Sequence, residues 1–484
     1  MKKNVTILFL STCLALCASG QVRHFDAYVE SAGQLAVVLG DRANEIDSLV
    51  VHGPVDATDF KTMWSCAFRG QLTALNLADA DVSEKEIPDY AFFDPQEQRM
   101  EEYIICLNLR RIILPDDIVR LGRCSFAYTM LERINLPVSL QEFGLGCFGE
   151  CNELCFDDLT IPEGVTEISA QCFQACKDLG KVSFPPTLKM IYAAAFRGSR
   201  IDEVDFPEGL EGIADLAFSG VKNLRRAILP NSCQRLGNEI FGEIDSLREI
   251  RFPEGISDIP WCAVWKCPKL ETVRIPESVE KIQFEAFRSC VSLRSVDFPS
   301  RLRIIEERAF YGCPLDSVVF PATLERIEMS AFKYNPHLSK IYSLSPIPPV
   351  GCVDSDTSHD IPVYVPVGSA DLYRQAGGWN MFTNYIELSE FPFAGVEAIP
   401  LNPESGFKVY GRNGNLVVEC ADSQPTGGYS VYGIDGQPVV QGVAGSHPVE
   451  IPLPSGLYIV RVGRSVYKAV SYTHLRAHET TLHL

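Results

Sequence analysis

A proline recurs every 22 to 25 residues through the middle of this chain, and this period constrains the fold more than any other feature of the sequence. The ten prolines are Pro115, Pro137, Pro162, Pro185, Pro207, Pro230, Pro253, Pro276, Pro299 and Pro321. Eleven residues after each of them stands an apolar residue, namely Phe126, Phe148, Phe173, Phe196, Phe218, Phe241, Val264, Phe287, Phe310 or Phe332. A unit this short cannot bury its own apolar face, so the period predicts a solenoid of stacked coils.

Each unit contains an alternating apolar segment just before its proline. Leu270-x-x-Val273-x-Ile275 and Leu293-x-x-Val296-x-Phe298 both end in the period-two pattern of a short strand. Proline has no amide hydrogen and cannot continue a ladder, so each proline is expected to end its strand. The sequence therefore predicts coils of short parallel strands.

The repeat resembles the BspA-like, or treponemal type, leucine-rich repeat of surface proteins. The resemblance runs from about Ile105 to Ile341. The Pro253 unit departs from it, with Pro260, Trp261, Val264 and Trp265 around the expected Ala-Phe pair. It implies a leucine-rich-repeat solenoid that binds protein or glycan ligands on host or bacterial surfaces. Residues 21–104 are predicted to be an N-terminal cap with an entry repeat, and residues 105–341 the solenoid.

The repeat pattern ends after Ile341, and residues 342–390 are predicted to be a C-terminal cap. Ser369 is a candidate N-cap for a helix over residues 370–376, and Trp379 and Phe382 are candidate core residues of this cap. Proline-rich residues 391–405 read as a linker.

Residues 406–470 alternate strand-like segments with turn pairs such as Asn413-Gly414 and Asp435-Gly436, which predicts a small antiparallel β-sandwich. Val431-Tyr432-x-x-x-Gly436, the segment from Pro454 to Val462 and Val466-Tyr467-Lys468 are taken together here. With them, residues 406–470 resemble the C-terminal sorting domain of the type IX secretion system. That resemblance implies a Gram-negative source in the Bacteroidota and recognition by the secretion machinery. Residues 471–484 carry three of the eight histidines and continue no strand pattern, so they are interpreted as a non-native tail.

The first twenty residues are predicted to be a signal peptide. Lys2 and Lys3 precede an apolar run, and Ala18-Ser19-Gly20 forms a small-residue cleavage site. Lipidation at Cys17 is the alternative, but Leu16 is a poor match to the residue that such processing needs. The expected location is secreted or the outer cell surface, with no transmembrane segment in the mature chain.

Composition and motifs argue against several classes of function, including nucleic-acid binding and catalysis. The net charge of −19 argues against a nucleic-acid partner. The cysteines fall at repeat positions, which favours free buried thiols over disulfides. No histidine, glycine-loop or serine motif of a known catalytic or cofactor site is present, so no enzyme activity, cofactor or metal is expected. The acidic run from Asp354 to Asp360 resembles a calcium loop, but His359 stands where such a loop needs glycine.

The candidate ligand-binding residues lie two and four positions before the prolines, where side chains are expected to point away from the core. They form a predicted basic strip across three strands, and Trp265 and Tyr311 follow the apolar column on the loop side. The strip consists of Arg226, Ile228, Glu249, Arg251 and Arg274. The predicted function is adhesion to host matrix or bacterial surface partners; the alternatives are glycan or peptide capture and an unrecognised hydrolase.

Overall fold

A computed structural model describes residues 23–100, 103–104, 107–351, 353, 358–388, 395–400, 407–412, 415–420, 427–433, 438–444, 448–453, 456–462 and 465–472. The predicted signal peptide, most of the acidic run at 354–357 and residues 473–484 lie outside the described residues. The chain divides into two compact units. The first comprises Met1–Arg294, Ile305–Pro314 and Glu328–Asn335, and the second Ser295–Ile304, Leu315–Ile327 and Pro336–Leu484.

The first unit begins with a parallel sheet and two α-helices, in the region predicted to be the N-terminal cap. The helices are Leu35–Leu39 and Ala57–Phe68. Asp56 starts the longer helix, because its carboxylate accepts hydrogen bonds from the Thr58 and Asp59 amides while the Asp59 carboxylate accepts from the Asp56 amide. The parallel sheet runs in the order His24–Tyr28, Ser48–Val55, Ala74–Asn76, Arg111–Ile113, Arg133–Ile134. The cap sheet thus continues directly into the first coils.

Two rows of short parallel strands build the solenoid of this unit, as the sequence predicted. One row, the strand wall, lies before the prolines and consists of Arg111–Ile113, Arg133–Ile134, Leu159–Thr160, Lys181–Ser183, Glu203–Asp205, Arg226–Ile228, Glu249–Arg251 and Thr272–Arg274. The second row lies between each proline and its Phe, at Arg120–Leu121, Glu142–Phe143, Glu167–Ile168, Met190–Ile191, Gly212–Ile213, Arg235–Leu236, Asp258–Ile259 and Lys281–Ile282, with Glu86–Ile87 as the entry strand. Each proline turns the chain between the rows, and the Pro276 carbonyl accepts from the Val279 amide at 3.1 Å.

The Phe residues form a fully buried stacked column. Phe173 and Phe196 lie 5.4 Å apart with ring planes 6° from parallel, and Phe287 and Phe310 lie 5.0 Å apart at 7°. The backbone on either side of the column adopts left-handed conformations, as at Glu285 (φ 54°) and Ser289 (φ 61°). Amides there bond to the next coil, for example from Ser289 to the Tyr311 carbonyl at 2.7 Å. Hydrogen bonds between coils therefore hold a backbone shape that non-glycine residues disfavour.

A second buried column lies three residues after each Phe, and most of its members donate a hydrogen bond to the preceding coil. Cys313 Sγ donates to the Phe287 carbonyl at 3.0 Å, and Asn335 Nδ2 donates to the Phe310 carbonyl at 2.9 Å. The other donors to the preceding coil are Cys151, Cys176, Ser199, Cys267 and Cys290, whereas Thr129 donates to the Phe126 carbonyl of its own coil. The cysteines are buried and free, as predicted, but their role is polar as well as apolar.

The second unit contains a four-stranded parallel sheet that follows the repeats, in the order Ser317–Phe320, Lys340–Ser343, Val363–Pro366, Tyr385–Leu388. The cap core is as predicted, because Trp379 and Phe382 are buried, and Trp379 Nε1 donates to the Pro349 carbonyl at 2.8 Å. Ser369 is the N-cap residue, as predicted, but it does not cap the helix with its side chain. The Ser369 side chain makes no capping bond to the helix Ala370–Gln375; the Glu387 carboxylate accepts from the Ala370 amide instead. A carboxylate from a neighbouring strand reaches this orphan amide, which no local pattern encodes.

The same unit ends in antiparallel sheets that fit the predicted small β domain. One sheet runs in the order Gly395–Pro400, Ser465–Tyr472, Gly456–Val462, Gly427–Gly433, Pro438–Ala444, and the other in the order Phe407–Arg412, Asn415–Cys420, Val449–Pro452. Leu416, Val418, Val431 and Val460 form a fully buried core between such strands.

Two predicted boundaries of this domain differ from the structure. Gly395–Pro400 is a strand although it lies within the predicted linker 391–405, and it pairs with Ser465–Tyr472, whose last two residues lie within the predicted tail 471–484. Proline suggested a linker, but Pro400 ends an edge strand, where a missing amide hydrogen is tolerated. Val396 pairs with Ser471, so each segment supplies the partner that makes the other a strand.

Candidate functional site

The predicted basic strip lies on the strand wall of the first unit, in a three-stranded sheet. Arg226 and Ile228 are exposed and flank the buried Ala227, and Arg251 follows the buried Ile250 in the same way. The alternation that the sequence predicted is confirmed here. Because the strands are parallel and in register, the outward side chains form two rows across the sheet.

The register divides the strip differently from the prediction. In one row Arg226 pairs with Glu249, and Glu249 with Thr272. In the other row Ile228 pairs with Arg251, and Arg251 with Arg274. The three arginines thus occupy two rows, with the half-buried Glu249 beside Arg226 rather than a continuous basic line.

A depression of about 620 Å³ opens at the end of this sheet. Strands Glu203–Asp205 and Arg226–Ile228 belong to separate sheets, so the ladder of the strand wall is interrupted between them. The depression lies over this interruption, and its lining consists of Asp202, Glu203, Val204, Asp205, Phe206, Glu208, Arg225, Arg226, Ile228, Leu229, Pro230, Asn231 and Arg251. Sequence periodicity gave no signal for it, because the repeat passes through this point with its usual spacing.

The depression separates opposite charges. Its lining from the coil before the interruption carries four carboxylates, and its lining from the coils after it carries three arginines. The acidic side is partly neutralised by Lys181, whose Nζ lies 2.7 Å from Asp205 Oδ2; the hydrogen bond to Asp205 raises the pKa of Lys181. On the basic side, Arg226 and Arg251 form no ion pair with any described residue.

An apolar side chain lies between these charges. Ile228 is 39% exposed on the basic side of the depression, although it stands at a strand position with buried neighbours. Arg274 lies beyond the depression and pairs with Glu254 at 3.3 Å. Of the predicted strip, Arg226, Ile228 and Arg251 therefore line the depression, and Glu249 and Arg274 do not.

The structure places Trp265 and Tyr311 apart from the strip, next to the Phe column rather than on a strand. Both are partly buried. A Cβ built on Gly242 would lie 2.4 Å from Trp265 Cδ1, so the glycine lets the indole pack onto the backbone of the preceding coil. Tyr311 packs edge-on against Tyr334 at a centroid distance of 4.9 Å.

Sequence reasoning missed a second exposed basic group on the strand wall. Arg111 and Arg133 are register partners on the first two coils, and Ile113 beside them is 48% exposed. They stand at the same positions before Pro115 and Pro137 as the strip residues before theirs, so the same count back from the prolines could have found them.

The buried thiols are placed as donors rather than nucleophiles. Burial raises the pKa of Cys290 well above its ordinary value and that of Cys313 to about 12. A thiol that stays protonated donates a hydrogen bond and is a poor nucleophile. In the part of the chain that the structure describes, no group of three histidine, cysteine or acidic residues is arranged to hold a metal ion.

The architecture defines a class of repeat protein: a solenoid of short parallel strands with a variable outer face. Six copies of the BspA type leucine rich repeat region match residues 85–225 and 211–339, which together span 255 of 484 residues. The chain belongs to this family. A comparison with curated proteins finds no match.

Solved structures of similar chains include a leucine-rich repeat protein from Bacteroides ovatus, with 23% identity over 66% of this chain and 84% of that one and a TM-score of 0.41. A leucine rich cell surface protein from Faecalibacterium prausnitzii is 22% identical over 62% of this chain and 83% of that one, with a TM-score of 0.37. The pneumococcal vaccine antigen PcpA is 14% identical over 71% and 80%, with a TM-score of 0.32.

Proposed function

We propose that this protein is a cell-surface adhesin that binds a protein partner through the depression on its strand wall, without catalysis. The observation that carries the proposal is the juxtaposition of an acidic and a basic side around the exposed Ile228. Protein interfaces combine an apolar contact with charged groups that set orientation, and arginine is enriched among residues that dominate binding energy.

The lining favours a macromolecule over a small ligand. Small-molecule pockets are mostly apolar, whereas the exposed residues of this depression are mainly charged. A partner with a basic segment next to an acidic one matches both sides at once. It lies across the surface rather than between the strands, because a backbone bridge from Arg200 to Lys222 holds the two coils together beside the interruption.

The location and export route belong to the same proposal. The predicted signal peptide and the likeness of residues 406–470 to a type IX sorting domain support export to the outer surface of a Gram-negative bacterium in the Bacteroidota. Among the described residues, no helix is long and apolar enough to cross a membrane. Export then depends on the C-terminal sheets and adhesion on the strand wall, so the two can be tested separately.

The test replaces Arg226 and Arg251, which line the depression, and Arg274, the register partner of Arg251, by serine in the full chain. We expect adhesion to extracellular-matrix proteins and to bacterial surfaces to weaken at least about tenfold at low salt, and the salt dependence of binding to fall with it. Surface display, measured by antibody labelling of whole cells, should be unchanged. Arg111→Ser with Arg133→Ser is the matched control, because both arginines lie on the same wall outside the depression.

Equal adhesion by the triple variant and the parent, with normal display, would refute this site. Equal weakening by the control pair would show a general charge effect instead of a specific depression. Loss of display in a chain that lacks residues 395–472, with adhesion of the purified protein retained, is the outcome expected for the export role.

A further inference from the structure

The free edges of the two C-terminal β-sheets differ in charge. Among the strands that the structure describes there, four lie at a sheet edge, namely Gly395–Pro400, Phe407–Arg412, Val449–Pro452 and Pro438–Ala444. The first three each carry at least one charged residue, at Glu397, Lys408 and Glu450 respectively. Charged side chains on an edge strand oppose pairing with a further strand. Pro438–Ala444 carries none over its 7 residues, so it lacks this protection.

Apolar side chains are exposed on this uncharged edge. Val440 packs against the buried core of the domain, so the alternation of the strand places Val439, Gln441 and Val443 on the opposite face. Val439 is 45% exposed and Val443 is 64% exposed. Within the sheet Val443 lies opposite Gly428, which has no side chain to cover it. Two valines on either side of a glutamine therefore face solvent at the rim of the sheet.

The same edge leaves backbone hydrogen-bonding groups for a further strand. Pro438–Ala444 pairs with Gly427–Gly433 on one side, and no other strand that the structure describes pairs with it. Alternate amides and carbonyls of an edge strand point away from its one neighbour. Pro438 has no amide hydrogen, but it is the first residue of the strand and does not interrupt the segment from Val439 to Val443. The edge can therefore accept an additional strand.

The order of the outward side chains makes this edge complementary to itself. Val439, Gln441 and Val443 read the same from either end of the strand. Against a second copy that runs antiparallel about Gln441, Val439 lies opposite Val443 of the second copy, and Gln441 lies opposite its own counterpart. Directly opposite side chains of antiparallel strands are close enough to interact, so valine contacts valine and amide can bond to amide. A two-fold contact between identical chains needs a surface of this kind, because each copy presents the same residues.

We propose that Pro438–Ala444 pairs antiparallel with the same strand of a second copy of this chain, so that two chains share one continuous sheet. The second copy supplies an apolar partner for both exposed valines and an amide for Gln441, and it brings no charge to the contact. One short strand makes a small interface, so the dimer is reversible and depends on concentration. Two copies that each carry a net charge of −19 repel each other, and salt screens this repulsion. Dimerisation should therefore strengthen with salt, opposite to the salt dependence expected for adhesion through the depression.

The experiment measures the mass of the full chain by sedimentation velocity over a series of concentrations and salt levels. We expect a monomer–dimer equilibrium in the parent. Gln441→Lys places two ammonium groups opposite each other, so it should raise the dissociation constant of the dimer at least about tenfold. Gln441 is exposed, so the change leaves the fold intact, which circular dichroism checks. Glu450→Gln is the matched control, because it adds the same single positive charge at an exposed position on an edge of the other sheet.

Cross-linking tests the register of the pair. In Gln441→Cys the new thiol faces its own counterpart, so diamide, which takes up two electrons and two protons, should join two chains by a disulfide. In Val443→Cys the two new thiols lie four residues apart along the strand, about 14 Å, so no such bond should form. Denaturing gels without reductant separate the products, with the parent as the control for the chain's other cysteines.

Four results would each overturn the proposal: a parent that stays monomeric at every concentration, equal dissociation constants for Gln441→Lys and the parent, equal weakening by Glu450→Gln, or equal cross-linking of Val443→Cys and Gln441→Cys. None of them bears on the depression, because its lining lies in the first unit. Failure of the adhesion test would likewise leave the dimer untouched.

Discussion

The Phe column and the strand wall belong to the same coils but follow different rules. Phe173, for example, has the ring of Phe148 on one side and the ring of Phe196 on the other, so its size and position are fixed by its neighbours along the solenoid axis. An outward residue of the strand wall, such as Arg226 or Thr272, is restricted only by the pleat of its strand. The buried residues are therefore similar from coil to coil, while the outward residues are free to change from acidic to basic between one coil and the next.

The largest effect that would sharpen this comparison is expected from Phe287→Ala. Phe287 is fully buried and stacks on Phe310, so its loss removes apolar contacts and leaves a cavity, at a cost of about 3 to 5 kcal/mol in the free energy of unfolding. Denaturant unfolding of the full chain, followed through the solenoid transition, measures it. A loss below about 1 kcal/mol would contradict the internal column, since it lies under the range for large-to-small core changes.

A smaller loss is expected from Cys290→Val, which keeps the side chain apolar, with one more heavy atom, and removes its donor. Cys290 Sγ donates to the Val264 carbonyl at 3.2 Å, and a buried carbonyl left without that donor costs about 1 to 3 kcal/mol. Cys290→Ser, which restores a donor, should recover part of this loss. Equal stability of the valine variant and the parent would mean that the column is purely apolar.

The same column predicts a dependence on pH. Burial raises the pKa of Cys313 to about 12, so this thiol stays protonated in the folded chain while it ionises in the unfolded chain near pH 9. Above that pH the unfolded state binds fewer protons at this thiol than the folded state does. The stability that Cys313 contributes is therefore fully present below pH 9 and falls as the pH rises towards 12. When the pH is raised from 8 to 10, the free energy of unfolding of Cys313→Ser should fall by about 1 kcal/mol less than that of the parent, because a hydroxyl does not titrate there. Parallel pH curves would contradict this.

The smallest effect on stability is expected from the strand wall itself. Exposed ion pairs contribute only about 0 to 1 kcal/mol, so the serine triple variant at Arg226, Arg251 and Arg274 should unfold within about 1 kcal/mol of the parent. Thermal unfolding checks this beside the adhesion assay. A larger loss would mean that the outer face also supports the fold, and the contrast between inside and outside would fail.

The solenoid could be predicted from the sequence, because each unit repeats the contacts of the preceding unit at a fixed spacing. The spacing from proline to Phe located the buried column, and the alternation around Ala227 and Ile250 predicted which side chains face outward. The short cap core at Trp379 was also predictable, since a bulky apolar residue in a small cap has nowhere else to pack. Each of these features depends on contacts with residues in the adjacent repeats or nearby in the sequence.

Features that depend on a partner far away in the chain could not be predicted from the sequence. Glu285 and Ser289 have a left-handed backbone although neither is glycine, so the sequence does not predict this conformation. Hydrogen bonds to the next coil impose it. The strand Gly395–Pro400 exists because Ser465–Tyr472 pairs with it, and the depression exists because the ladder is interrupted after Asp205. A sequence pattern records which residues alternate, whereas the register between distant segments and the places where it breaks are set only when those segments meet.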